Sequence, residues 1–158
     1  MDVIKLYCDG GCRGNQYKNN VGGWGVCLEY KGYIKEIKGS ETDTTNNRME
    51  LISCIKGLEA ITRKNIPVEV VMDSQYVVSA FNDKWINNWM LRGWRNSKNK
   101  PVENQDLWVR FIKLTKELTN ITFTKCLGHS GHAGNERADL LANQAMDELL
   151  YDIAGYIG

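Results

Sequence analysis

The spacing of the apolar residues changes near Asn46, and this change limits the folds that are open to the chain. Before it, the runs VIKLYCD, GGWGVCLEY and YIKEIKG have the short, alternating character of strands with one buried face. After it, apolar residues recur three or four positions apart, as they do in an amphipathic helix. A chain that begins with strands and continues as a helix is neither all-helical nor all-β, so we expect a mixed fold.

The rest of the chain alternates helical segments with two further strands. Lys31 and Gly32 separate the second and third runs and favour a tight hairpin. VEVVMD and ITFTKCL have strand character, whereas SQYVVSAF, Lys84 to Arg92, ENQDLWVRFIKLTKEL and NERADLLANQAMDELL have helical spacing. The predicted order is β-β-β-α-β-α-α-α-β-α. This order indicates an α/β fold with an antiparallel meander of strands 1 to 3, followed by strands that lie parallel to a neighbour because helices connect them.

Length and composition favour a single soluble domain that spans residues 1–158. The chain is 42% hydrophobic and 25% charged, and it has no apolar run near the ~20 residues that a membrane helix needs. The start, MDVIKLYCDGG, lacks the basic end and apolar core of a secretory signal. Five cysteines without a C-x-x-C pair predict free thiols. We therefore expect a cytoplasmic protein with no membrane partner.

Acidic side chains follow two of the predicted strands. Asp9 closes the first strand and Asp73 closes the fourth. If these strands are parallel neighbours, the two carboxylates meet at the carboxyl edge of the sheet and repel each other unless a cation lies between them. Glu50 lies one turn into the first helix, and Asp139 lies early in the last. Each acid alone can also be explained as a turn or helix-capping residue, so only their convergence would make a site.

Positive charge is concentrated in residues 84–101, called here the basic segment. It contains five Lys or Arg and no acid; since the whole chain carries +1, the remainder carries −4. Trp85, Trp89 and Trp94 lie in the same stretch. Cations interleaved with indoles favour a nucleic-acid surface, because cations contact phosphates while indoles pack on sugars and bases. The alternative is a solvated face that the tryptophans anchor to the core.

Both histidines lie in one glycine-containing stretch, LGHSGHAGNERAD. His129 and His132 can each be a solvated or locally hydrogen-bonded ring. With Cys126 and Asp139 they offer zinc-type ligands, but the spacing fits no standard zinc pattern. GGCRGN and GGWG match neither a dinucleotide fingerprint nor a P-loop, so we expect no dinucleotide or nucleotide cofactor.

Five segments taken together resemble type 1 ribonuclease H: YCDGGCRGN, TTNNRMELISCIKGLEA, VVMDSQYVV, RGWRNSKNKPVENQDLW and GHSGHAGNERADLLA. They span roughly residues 3 to 145 in the order of that family. The resemblance implies a ribonuclease H-like fold, a five-stranded mixed sheet flanked by helices with strands 4 and 5 parallel to strand 1. It also implies a monomeric endonuclease that hydrolyses the RNA strand of RNA–DNA hybrids with little sequence specificity and leaves 5′-phosphate and 3′-hydroxyl ends.

The resemblance also implies a catalytic set. Two Mg²⁺ ions, with Mn²⁺ as a possible substitute, would be held by Asp9, Glu50, Asp73 and Asp139. His129 would assist proton transfer or product release, whereas His132 would be structural. The family's usual Pro-Glu after the second histidine is Ala133-Gly134 in this chain, which predicts a looser loop.

Further residues are implied to bind the substrate. Asn15, Asn46, Asn47 and Gln75 would contact RNA 2′-hydroxyls, beside the backbone of Cys12, Arg13 and Gly14. Thr45 would seat a DNA phosphate, and the basic segment would grip the DNA strand through Trp85, Trp89 and Trp94.

Two other functions fit parts of this pattern. A non-catalytic hybrid-binding module would need a broken carboxylate set, but all four acids are present. A DNA-cutting nuclease or integrase of the same general fold would share the acids, but the tryptophan-rich basic segment and NNRME favour the hybrid-cleaving family.

Overall fold

The computed structural model describes residues 2–14, 20–126 and 133–157. For residues 156 and 157 it describes only the backbone. The elements follow the predicted order: β1 Ile4–Arg13, β2 Val21–Tyr30, β3 Tyr33–Thr42, α1 Asn46–Ala60, β4 Val68–Met72, α2 Gln75–Asn82, α3 Trp85–Leu91, α4 Gln105–Lys116, β5 Ile121–Lys125 and α5 Ala133–Ile157.

The five strands form one mixed sheet in the order β3-β2-β1-β4-β5. β1, β2 and β3 are antiparallel, whereas β4 is parallel to β1 and β5 is parallel to β4. The hairpin between β2 and β3 turns at Lys31 and Gly32, both with positive φ (50° and 81°), which is the geometry of a tight two-residue turn. The predicted α/β fold and the direction of strands 4 and 5 are confirmed.

Helices cover both faces of the sheet, with α1 on one face and α5 on the other. The main core lies with α1 and includes Leu6, Met49, Val70 and Trp108, each fully buried. A smaller cluster around Tyr7 lies with α5. Within the described part of the chain, no helix has the length and apolar character to cross a bilayer. The five cysteines, all within the described ranges, form no disulfide, as expected.

The glycines of GGWG let α5 approach the sheet closely. A Cβ added at Gly25 of β2 would lie 2.2 Å from the carbonyl oxygen of Ala138 in α5. Such an overlap with backbone cannot be relieved by turning a side chain. The spacing between β2 and α5 therefore depends on glycine at this position.

β1 extends further than predicted. Its parallel ladder with β4 ends at Tyr7, but its antiparallel ladder with β2 continues from Asp9 opposite Gly25 to Arg13 opposite Val21. The expectation that Asp9 closes the strand is therefore wrong on the β2 side, where the hairpin partner keeps the backbone extended. Asp9 does lie just beyond the edge that β1 shares with β4.

Candidate functional site

The sheet register brings the first and third predicted acids to the same edge. β1 and β4 pair with a constant offset, from Ile4 opposite Val68 to Tyr7 opposite Val71. Continued for two residues, this register sets Asp9 beside Asp73, which directly follows β4. The carboxyl edge of two parallel strands therefore carries two carboxylates, as predicted.

Asp9 forms a carboxyl pair with Asp139 of α5. Burial, a hydrogen bond to Asp139 and the negative charges of Asp139 and Glu50 together raise the pKa of Asp9 to about 8, while the Gly10 N–H acts in the opposite direction. A carboxyl with such a pKa keeps its proton at neutral pH when no cation is present. Asp9 is thus a protonated carboxyl that is hydrogen-bonded to the Asp139 side chain.

Glu50 is held at the same edge by the first residues after β4. Ser74 Oγ donates to Glu50 Oε2 at 2.6 Å, and the same hydroxyl caps α2 by accepting from the Val77 N–H at 3.1 Å. Burial raises the pKa of Glu50, the Ser74 hydrogen bond opposes this, and the charge of Asp73 raises it further. The cap of α2 therefore also orients a carboxylate of α1.

Close backbone packing fixes β1 against α1 at this point. A Cβ added at Gly10 would lie 2.3 Å from the carbonyl carbon of Met49 and 2.6 Å from the backbone nitrogen of Glu50. Only glycine permits this approach. Asp9 and Glu50 are consequently carried by two backbones in direct contact.

All four predicted acids are electrostatically linked: Asp9 interacts with Asp139 and Glu50, and Glu50 interacts with Asp73. Across residues 2–14, 20–126 and 133–157, no three acidic, cysteine or histidine side chains stand close enough together to hold one ion as they are. The donor set consists of hard carboxylate oxygens, which fit divalent cations such as Mg²⁺.

A cleft of about 340 Å³ opens beside the Asp9–Asp139 pair. Its lining includes Cys12, Arg13 and Asn46, which were predicted to bind substrate. Cys12 Sγ donates to the Thr44 carbonyl at 3.7 Å, so this thiol is tied to the start of α1. The cleft therefore joins β1, α1 and α5 at one place.

The other predicted substrate residues surround this edge. Thr45 is the N-cap of α1, where its hydroxyl accepts from the Arg48 N–H at 3.1 Å, and Asn46 and Asn47 are the exposed first residues of that helix. Gln75 begins α2 and contacts Ser79 and Lys125. Gly14 follows β1 with a φ of 77°. The predictions for Asn15, His129 and His132 fall outside the described residues.

The tryptophans of the basic segment differ in exposure. Trp89 packs against the buried Trp108, with ring centroids 5.5 Å apart, and also contacts Trp85 and Trp94 at 6.4 Å each. Trp85 is 37% exposed. A second pocket of about 240 Å³ is lined by Trp85, Trp89, Arg92 and Arg95 among others. Trp89 and Trp94 thus anchor the segment to the core, and Trp85 presents its ring to solvent.

One contact of a predicted site residue was missed from the sequence. Asn143 lies four residues after Asp139 in α5, and its Nδ2 donates to the Asp139 carbonyl at 3.0 Å and to Asp139 Oδ1 at 3.4 Å. The i to i+4 spacing on a helix was the available signal, because such residues are neighbours on its surface.

Comparison with known proteins shows which family this chain is similar to. The ribonuclease H (RNase H) family model matches residues 1–147. The ribonuclease H of Francisella tularensis subsp. novicida (strain U112) is 48% identical over 156 residues, covering 95% of this chain and 99% of the relative. Among solved structures, LC9-RNase H1, described as a type 1 RNase H with the type 2 active-site motif, superposes with a TM-score of 0.80 at 34% identity, covering 94% of this chain and 74% of that one. LC11-RNase H1 in complex with an RNA/DNA hybrid has a TM-score of 0.67 at 26% identity, covering 93% and 99%.

Proposed function

Because the chain belongs to the ribonuclease H family, we propose that it is an endonuclease that uses two divalent metal ions to hydrolyse the RNA strand of RNA–DNA hybrids. The products would carry 5′-phosphate and 3′-hydroxyl ends. The observation that carries this proposal is the convergence of Asp9, Glu50, Asp73 and Asp139 at one edge of the sheet. The hybrid bound to LC11-RNase H1 supports the choice of substrate.

The four acids would hold two Mg²⁺ ions, with Mn²⁺ as a substitute. When bound, the ions would activate the attacking water and stabilise the departing 3′ oxygen of the RNA. The protein's contribution is to hold the carboxylates in register: Gly10 seats Asp9 against α1, and Ser74 orients Glu50. Asp9 interacts with two of the other acids, Asp139 and Glu50, which supports a place for it within the set.

Protons must leave this cluster before it can accept cations. The pKa of Asp9 is raised to about 8, so its proton is lost either at high pH or in exchange for a cation. Metal affinity is therefore expected to increase as the pH rises towards 8. This dependence of metal affinity on pH arises at Asp9 and does not require the nucleic acid.

Recognition of the hybrid would combine two kinds of contact. Asn46 lines the cleft together with Asp9 and Asp139, and Gln75 lies two residues after Asp73; both carry amides, which suit RNA 2′-hydroxyls because an amide both donates and accepts. The basic segment, with Trp85 exposed, suits the DNA strand. Both kinds of contact address the backbone, so cleavage should show little sequence preference.

The role of His129 rests on the resemblance alone. Its imidazole would move a proton near the attacking water or help product to leave, because an imidazole titrates near neutral pH. His132 would be structural, and the protein would act as a monomer.

Cleavage assays on three duplexes test the proposal. End-labelled RNA–DNA hybrid, duplex DNA and duplex RNA are incubated with the wild type, with Asp9→Asn and with Asp152→Asn, whose exposed side chain lies far along α5. We expect Mg²⁺-dependent cleavage of the hybrid's RNA strand by the wild type and Asp152→Asn, and loss of activity in Asp9→Asn. Preferential cleavage of duplex DNA would contradict the proposal, as would binding of hybrid without cleavage.

A further inference from the structure

Arg13 shares the cleft with the Asp9–Asp139 pair. It lies four residues beyond Asp9 in β1, and side chains two and four residues apart in a strand point to the same face. That face packs against α5, which holds the guanidinium at two points. Nη1 donates to Asp147 Oδ1 at 2.6 Å, and Nη2 donates to Asn143 Oδ1 at 3.1 Å.

Asn143 connects this guanidinium to a proposed metal ligand. Its amide oxygen accepts from Arg13, while its amide nitrogen donates to the carbonyl and the carboxylate of Asp139. Arginine only donates and a carboxylate only accepts, so the orientation of the amide is fixed by its two neighbours. A cation and a carboxylate are thereby held at a set spacing along α5.

The guanidinium retains capacity for a further acceptor. It carries five N–H donors in a rigid fork that matches the oxygens of a phosphate, and the contacts to Asp147 and Asn143 each engage one nitrogen. The Arg13 and Asp147 side chains are 39% and 67% exposed, and ion pairs this exposed add little to stability. The ion pair with Asp147 thus orients the Arg13 side chain but contributes little to the stability of the fold.

We propose that Arg13 binds a phosphate of the RNA strand next to the cleaved bond, and that Asn143 is the positioning residue that aligns Arg13 with Asp139. This inference rests on the proposed function, because it takes the RNA strand to be the strand that enters the cleft. A phosphate in this place would accept from the guanidinium N–H groups that Asp147 and Asn143 leave unused, in a charge-assisted contact. The contact carries no base information, so it adds affinity without sequence preference.

The matched control is the neighbouring ion pair between β3 and α5. Lys38 Nζ contacts Glu148 Oε1 at 2.6 Å with side-chain exposures of 33% and 62%, close to those of the Arg13 pair. Lys38→Met therefore removes the same charge and the same kind of bridge to α5. Lys38 does not line the cleft.

The experiment compares Arg13→Met, Arg13→Lys and Lys38→Met in two assays. Steady-state cleavage of a labelled hybrid gives KM and kcat. Hybrid binding is measured by fluorescence anisotropy over a salt series in the Asp9→Asn background, which is expected not to cut. We expect Arg13→Met to raise KM roughly fivefold to tenfold and to lower the slope of log K against log salt by about 1, with kcat changed less than about twofold. Arg13→Lys should restore the slope but only part of KM, and Lys38→Met should match the wild type.

A double variant tests the role of Asn143. Asn143→Ala alone should raise KM, but adding it to Arg13→Met should raise KM no further if the amide acts on KM through the guanidinium. Additive effects on KM would overturn the positioning role, and an Arg13→Met variant with the KM and salt slope of Lys38→Met would overturn the phosphate contact. Melting temperatures establish that each variant is folded. A wild type that leaves the hybrid uncut would contradict the proposed function itself, and this inference with it.

Discussion

Replacing Asp9 with asparagine should remove a pH-dependent loss of stability from the metal-free protein. The folded state raises the pKa of Asp9 from its ordinary value of 3.8 to about 8, so the folded state binds this proton more tightly than the unfolded chain does. The resulting stabilisation is complete below pH 3.8 and is lost as the pH rises through the interval up to about 8. A side-chain amide cannot ionise, so Asp9→Asn should keep its stability across that interval.

The size of the effect follows from the width of the interval. Within it, each pH unit removes at most about 1.4 kcal/mol of unfolding free energy, so the change from pH 5 to pH 8 is at most about 4 kcal/mol. The charge of Glu50 contributes to the raised pKa of Asp9, and because the pKa of Glu50 is itself raised, the two groups partly titrate together; this reduces the figure, and we expect about 2–3 kcal/mol. For a chain of this length, that corresponds to roughly 4–12 °C in Tm.

Thermal unfolding followed by circular dichroism in EDTA at pH 5 and pH 8 measures this change. The informative quantity is the difference between the wild type and Asp9→Asn, because the lowered pKa values of Asp106 and Glu117, beside Arg48 and Lys64, contribute equally to both. Asp152→Asn should retain the wild-type slope. Addition of Mg²⁺ at pH 8 should stabilise the wild type more than Asp9→Asn. A Tm that falls as steeply in Asp9→Asn as in the wild type would refute the reasoning.

Three further predictions address other parts of the molecule. Gly25→Ala should lower Tm by roughly 6–12 °C, because its Cβ would meet the Ala138 carbonyl oxygen of α5 at 2.2 Å. Gly155→Ala, at a position of α5 with open space around it, should not lower Tm. Equal Tm values of the two variants in thermal melts would contradict this. Trp85→Ala should weaken hybrid binding roughly tenfold in anisotropy titrations with little change in Tm, since the ring is exposed. Unchanged affinity would show that Trp85 does not contact the DNA strand. His129→Ala should lower kcat by roughly 10²-fold while His132→Ala has little effect, and equal losses would reject the assignment.

The sequence predicted most of the fold because its periodic segments are long and their ends are marked. The order of ten elements is confirmed, and Thr45 and Ser74 cap α1 and α2 with their side chains. The parallel neighbours that set Asp9 beside Asp73 follow from the helical connection between them. The local pattern of apolar residues was enough to predict a helix or strand wherever one face of that element is buried.

Contacts between distant parts of the chain could not be predicted in the same way. DGGCR lacks the alternation of a strand, and it is extended only because β2 pairs with it up to Arg13. The contacts of Arg13 with Asn143 and Asp147 join residues 130 and 134 positions apart. Such pairs arise when α5 packs across the sheet, and nothing in either local segment indicates the other.

The separation of charge between the basic segment and the rest of the chain bears on how a duplex first meets the protein. With +5 in residues 84–101 and −4 elsewhere, the molecule is nearly neutral but electrically polarised. A polyanion therefore experiences a torque as well as an attraction, and the first encounter is biased towards one orientation before any specific contact forms. Selection of the productive pose thus begins during diffusion, and its contribution to the association rate should fade as ionic strength rises.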